Sequence, residues 1–259
     1  MDWYLYPAVV GIGIIAGFIN TLAGSGSLLT LPFLMFLGLP ANIANGTNRI
    51  AILLQNIVGV TRFRQKKVLD YREGLWYGLP AVIGAIIGAR IAVDIDEKIL
   101  RQAIGILLIA MFFLIVLKPE RWLQGRHHKQ STGTRILLII VFFIIGIYGG
   151  FIQAGVGFFL LAGLVVGVGA DIVRANALKV FIVLIYTPLA LVIFMLHHQV
   201  DYVPGLVLSL GNMTGAWLGA NVAVSWGPRF VRVILLLALL ISALKLTGIA
   251  DWLWQFIAG

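Results

Sequence analysis

Asn20-Thr21-Leu22-Ala23-Gly24-Ser25-Gly26-Ser27 and Gln153-Ala154-Gly155-Val156-Gly157-Phe158 are two versions of one turn. They lie 131 residues apart, with Gly24 falling on Gly155 and Gly26 on Gly157. The same offset carries Ala44-Asn45 onto Ala175-Asn176, Asp70-Tyr71 onto Asp201-Tyr202 and Arg101 onto Arg232. It also carries Gly84-Ala85 and Gly88-Ala89 onto Gly215-Ala216 and Gly219-Ala220, with no gap between these points. An apolar chain made of two copies of one unit is the usual plan of a secondary transporter, with its site where the copies meet.

The sequence around these turns belongs to a membrane. Of 259 residues, 61% are hydrophobic and 11% charged, and the mean hydropathy is +1.02. A water-soluble core of this length does not hide that much apolar surface. Apolar stretches of about 20 residues recur from end to end, each long enough for the hydrocarbon layer. They do not alternate as barrel strands do. The start, Met1-Asp2-Trp3-Tyr4, lacks the basic region of a signal peptide, so a retained first helix is expected, with Trp3, Tyr4 and Tyr6 as an interfacial belt. Cysteine is absent, which excludes disulfide and thiol chemistry.

The pattern predicts five helical elements per half, at about 5–23, 27–39, 42–62, 73–93 and 98–117, then 135–154, 158–169, 173–196, 203–225 and 229–248. The fold class is thus an all-α membrane protein, a polytopic bundle of two inverted-topology repeats with short Gly-broken helices. One transporter domain covers 1–259: repeat 1 at about 5–117, a polar linker at 118–134 and repeat 2 at about 135–248. The second element of each half is too short to cross comfortably, and whether it spans or re-enters is left open. It is expected to form a hairpin with the first element, dipping into the membrane and turning at the glycines.

The net charge of +9 sits in short loops, as the positive-inside rule requires, and does not form a nucleic-acid module. Basic loops 62–72 and 118–135 and the turn 227–232 are expected inside. Loop 197–202 has Asp201 and no Lys or Arg, and is expected outside. The equivalent pairs Asp70-Tyr71 and Asp201-Tyr202 then lie on opposite faces, so the copies run in opposite senses and both termini lie outside. The paired His127-His128 falls in the polar linker and reads as solvated.

The expected substrate site centres on Asn20, Gly24, Ser25, Gly26 and Ser27, with Gln153, Gly155 and Gly157 in the second copy. Gly26 and Gly157 let a ligand approach the backbone. Ser25 and Ser27 can cap the next helix, whose free N–H groups favour an anion. A structural turn between packed helices is the competing reading. The third element of each half adds Asn45, Thr47, Asn48 and Arg49, and Asn176 and Lys179. Polar groups in a span tend to face a cavity. Snorkelling to the headgroups is the alternative for the two cations. Gln55, Asn56 and Tyr186 lie deeper in the same elements. The Gly84/Gly88 and Gly215/Gly219 faces read as close helix packing. Asp94, Asp96 and Glu97 read as a helix cap. No Ser/His/Asp set or paired acids appear, so no catalytic residues, metal or cofactor are expected.

At these residues the chain resembles the sulfite exporter TauE/SafE family. The resemblance rests on Gly17-Phe18-Ile19 leading to Gly24-Ser25-Gly26-Ser27, on Leu37-Gly38-Leu39-Pro40 with Gly46-Thr47-Asn48, and on Gly149-Gly150-Phe151 leading to Gly155-Val156-Gly157. It covers nearly the whole chain. It implies a multi-pass permease of the bacterial cytoplasmic membrane that exports a small anion such as sulfite, sulfoacetate or another organosulfonate. The second half departs from the family pattern at Val156-Gly157-Phe158 and at Leu178-Lys179, which stands where Thr47-Asn48 stands in the first. The expected partners are the anion and the lipid bilayer, and not nucleic acid. Association into a homo-oligomer is left open. A passive anion channel is the strongest alternative reading, and an intramembrane enzyme or assembly subunit is a third, disfavoured by the missing catalytic set.

Overall fold

The computed structural model describes residues 3–116 and 132–222. The linker from 118 to 131 with its His pair, the turn 227–232 and the tenth helix at 229–248 lie outside the described residues. After a short 3-10 turn, Trp3–Leu5, the first half has α1 (Tyr6–Ala23), α2 (Ser27–Phe36), α3 (Ala41–Gln65), α4 (Tyr71–Asp94) and α5 (Glu97–Val116). The second has α6 (Thr132–Phe151), α7 (Val156–Ala162) extended by a π-helical turn, Gly163–Val168, then α8 (Ile172–Leu196) and α9 (Tyr202–Val222). No strand occurs among the described residues.

Four of these helices, α1, α4, α8 and the 133–151 part of α6, are long and apolar enough to cross a membrane. Outward faces are apolar, with Leu79, Ile83 and Ile91 of α4 and Ile136, Ile140 and Ile144 of α6 exposed. Inward positions include Asn45, Thr47, Asn48, Arg49, Gln55 and Asn56, all buried on α3. Polar inside and apolar outside is the arrangement lipid imposes.

The loop aspartates start helices. Asp70 Oδ1 accepts from the Glu73 N–H at 3.1 Å, and Asp171 Oδ1 from the N–H groups of Val173 and Arg174, both at 3.0 Å. Asp96 and Asp201 do the same for Lys98 and Val203. Each satisfies orphan donors of a first turn.

The 131-residue offset is visible in the backbone. Left-handed residues occur at Gly24 and Gly155, Gly38 and Gly169, and Lys67 and His198. Gln153, at φ 66°, has no such counterpart. This left-handed residue belongs to the turn 152–154, which stops α6 at Phe151 rather than at 154 as the apolar pattern predicts.

Each half packs its fourth helix on the other half's first. A methyl added at Gly17 of α1 would lie 2.2 Å from the Asn212 carbonyl of α9, and one at Gly215 2.0 Å from the Ile14 carbonyl. On the other side, one at Gly88 of α4 would lie 1.9 Å from the Ile147 carbonyl of α6, and one at Gly150 2.0 Å from that of Ala85. These are backbone-to-backbone contacts that only glycine admits, as the small-residue faces predict. Between the two pairs run α3 and α8. The start of α3 meets the loop after α8, where Thr47 Oγ1 accepts from the Asp201 N–H at 2.8 Å. Its end meets the start of α8, where Phe63 packs on Ala177 and Val180. The two equivalent helices are therefore antiparallel.

The glycines of the turns have a different role from the one expected. Beside Gly157 lies the backbone of Gly24, 2.3–2.8 Å from an added methyl, and beside Gly26 lies the Ala16 carbonyl at 1.9 Å. Protein backbone, not ligand space, fills these positions. Gly157→Leu and Gly88→Leu should each cost about 3 kcal/mol or more as overpacking lesions. Gly105→Leu, with nothing within 4 Å of its added methyl, should leave Tm unchanged or raised. Melting of the detergent-purified variants checks this.

Candidate functional site

The two turns meet at the centre, with Gly24 against Gly157. Both α1 and α6 stop there, and α2 and α7 lead away. Ser27 ties the turns together. Its hydroxyl accepts from the Gly155 N–H and donates to the Gln153 carbonyl, both at 3.3 Å. It does not cap its own helix, since Gly26 is the N-cap of α2 and no side chain bonds there. Ser25 is buried in the same turn.

A helix that stops inside a protein leaves carbonyls without partners. Here each broken end is met by a cation from the other half. Lys179 of α8 donates to the α1 carbonyls of Asn20, at 2.8 Å, and Thr21, at 3.3 Å. Its third bond goes to Asn176 Oδ1 at 2.7 Å. Arg49 of α3 donates to the α6 carbonyls of Gly149, Gly150 and Phe151 at 3.2, 2.5 and 3.5 Å, and to Gln153 Oε1 at 3.0 Å. Its guanidinium also lies 4.5 Å from the Phe194 ring centre. Asn45 adds a bond to the Phe151 carbonyl at 2.7 Å. By the offset, Asn20 and Phe151 are the same position in the two copies. The negative end of each helix dipole thus faces a buried cation. Arg49 is 0% and Lys179 2% exposed, which excludes snorkelling to the headgroups.

A small cavity of about 10 Å³ lies beside the crossing, lined by Asn20, Ser27, Asn56, Gln153 and Lys179, with Ile52, Val156, Gly157 and Val183. That is room for about one water. Ile52 and Val183 are repeat counterparts, so the cavity sits between the copies on α3 and α8. Of the residues expected at the site, Asn20, Ser27, Gln153, Gly157 and Lys179 border it. Arg49 and Asn45 stand behind it as partners of the α6 end, and Asn176 as the acceptor of a Lys179 bond. Thr47 instead ties α3 to Asp201, and Asn48 Oδ1 accepts from Thr30 Oγ1 at 2.7 Å. Gly24, Ser25, Gly26 and Gly155 form the turns themselves. Asn56 joins the lining one helical turn after Ile52, a placement that its i+4 spacing foretells. Thr187, which receives a 3.4 Å bond from Gln153 Nε2, is one that sequence reasoning missed. It is the repeat counterpart of Asn56.

No carboxylate is buried among the described residues, and the described ion pairs involve neither Arg49 nor Lys179. The cavity therefore offers one ammonium group, neutral hydrogen-bonding groups and an apolar wall.

Comparison with known proteins agrees with this membrane architecture. The family model described as sulfite exporter TauE/SafE matches residues 9–246. A "Probable membrane transporter protein ORF9" of Sinorhizobium is 27% identical over 90% of this chain and 88% of its own length. "Probable membrane transporter protein YfcA" of Escherichia coli is 27% identical over 93% and 90%. A "Probable membrane transporter protein" of Haemophilus influenzae is 25% identical over 93% and 94%. These relatives are named as transporters, not enzymes. No solved structure matches. The chain belongs to the sulfite exporter TauE/SafE family and is a membrane transporter.

Proposed function

We propose that the chain is a secondary transporter that exports a small sulfur-containing anion, sulfite or an organosulfonate such as sulfoacetate, across the cytoplasmic membrane by alternating access. The observation that carries this is Lys179: a cation with no buried carboxylate partner, bordering a polar cavity between the copies. Bringing a bare anion into hydrocarbon is expensive, and a fixed cation there offsets the cost. Export, and the sulfur chemistry, rest on the family.

The antiparallel course of α3 and α8 supports an inverted repeat about an axis in the membrane plane, with the whole chain as one domain. Asymmetry between the two ends supports alternating access. At the Asp201 end, Ile43, Leu39, Val200, Asp201 and Tyr202 border a cleft of about 390 Å³. At the other end the counterpart of Ile43 is Arg174, which pairs with Glu73 at 2.5 Å and Asp70 at 3.9 Å. Arg174 thus carries ion pairs at one end, where its repeat counterpart Ile43 borders a cleft at the other. The near absence of space at the centre favours a carrier over a passive channel. An anion entering the enlarged cavity competes with the Asn20 and Thr21 carbonyls for Lys179. Occupancy would thereby loosen the end of α1. Arg49 does not border the cavity and serves as a fixed clamp on α6.

Two outcomes follow. Lys179→Gln keeps a donor for the α1 carbonyls but removes the charge. It should weaken sulfite or sulfoacetate binding to purified protein at least tenfold, about 1.4 kcal/mol. Arg49→Gln should leave affinity within about threefold and lower stability by about 2 kcal/mol, because α6 carbonyls lose their donors. Titration calorimetry and melting separate the two, and unchanged affinity in Lys179→Gln removes the electrostatic basis for an anion. Topology is tested in the cysteine-free chain. Cysteines at Lys67 and His198, exposed repeat counterparts, should label from the inside and the outside respectively. Labelling from one face only contradicts the inverted arrangement.

A further inference from the structure

Tyr186 is fully buried in α8, and its hydroxyl has no hydrogen-bond partner. An orphan donor costs its full desolvation, and nothing in a membrane core relieves it. Such groups in a native structure call for a physical reason. The hydroxyl lies close to the cavity wall. A methyl added at Gly149 would sit 2.9 Å from the Tyr186 oxygen and 3.0 Å from Cγ2 of Val156, which borders the cavity. Tyr186 also follows Val183, another wall residue, by three positions, which places it on the same helix face.

The repeat counterpart of Tyr186 is Gln55, three positions after Ile52. Gln55 Nε2 is also buried without a partner, although its Oε1 accepts from Asn212 Nδ2 at 3.1 Å. Each copy thus places an unused neutral donor about one turn beyond the cavity wall. Because α3 and α8 are antiparallel, the two donors flank the cavity from opposite ends.

We propose that the Tyr186 hydroxyl is a substrate-binding group, donating a hydrogen bond to an oxygen of the anion whose charge Lys179 balances. This rests on the anion site proposed above and narrows its substrate class. A ligand with two or more acceptor oxygens can take one hydrogen bond from the ammonium and another from the phenol. Two separate donors suit an oxyanion, such as a sulfite or sulfonate group, whose oxygens are spread in space as a halide's charge is not.

The test is Tyr186→Phe, which removes one oxygen and little else. Sulfite, sulfoacetate and chloride are titrated into the purified parent and variant, with Tm measured without ligand. Removing an orphan hydroxyl should leave Tm unchanged or raised, while oxyanion affinity falls about tenfold. The parent should bind chloride at least tenfold more weakly than sulfite, and the variant should lose most of that preference. A variant that binds sulfite as tightly as a binding-competent parent overturns the Tyr186 assignment alone. A lower Tm with unchanged affinity overturns it equally, since the hydroxyl is then structural. A parent that binds none of the oxyanions overturns the anion site and the role of Tyr186 with it.

Discussion

The structure depends on how two helices are allowed to stop inside the protein. Helices α1 and α6 end at the glycine turns and leave carbonyl oxygens where water does not reach. Lys179 satisfies one end and Arg49 the other, each reaching from the third helix of the opposite half. A buried cation without a carboxylate is itself costly. The dipole end of a broken helix supplies about half a negative charge, so each liability offsets the other. Because the partners come from different copies, neither half can complete its own helix end. The centre of the protein is therefore an interface by construction.

This arrangement leaves the interior short of negative charge. Two cations face only dipoles and neutral oxygens, and the described carboxylates lie at loops, where they cap helices or pair with surface arginines. The anion proposed as substrate carries the charge that the centre lacks. The glycine contacts make the same region tight: the backbones of Gly24 and Gly157 touch, and only about one water's space remains beside them. Admission of a larger anion requires the helices to move.

Much of the fold was legible because the repeat offset needs no alignment gap and apolar length marks the helices. The cap at Asp96 followed from residue type and place, whereas the loop positions of Asp70, Asp171 and Asp201 were legible but their capping bonds were not. The role of the glycines was not legible. Sequence shows that backbone must approach something at Gly26 and Gly157, but not whether that something is ligand or another stretch of chain. Ser27 is similar, since its partners lie more than 120 residues away. The inequality of the cations arises from one residue of register. Lys179 is the counterpart of Asn48, not of Arg49, and one residue is about 100° around a helix. That rotation turns Arg49 toward the end of α6 and Lys179 toward the cavity. Gln153 held a left-handed conformation that nothing in its residue type announced.

The central claim is that the cation-bearing cavity between the two copies carries one anion at a time. Counterflow in proteoliposomes tests it most directly. Vesicles loaded with unlabelled sulfite are diluted into a trace of labelled sulfite, and uptake is followed with time. An alternating-access carrier predicts a transient, saturable overshoot of label that depends on internal sulfite. Unitary conductance in planar bilayers, with label entering no faster when sulfite is present inside, would contradict it and make the protein a passive pore.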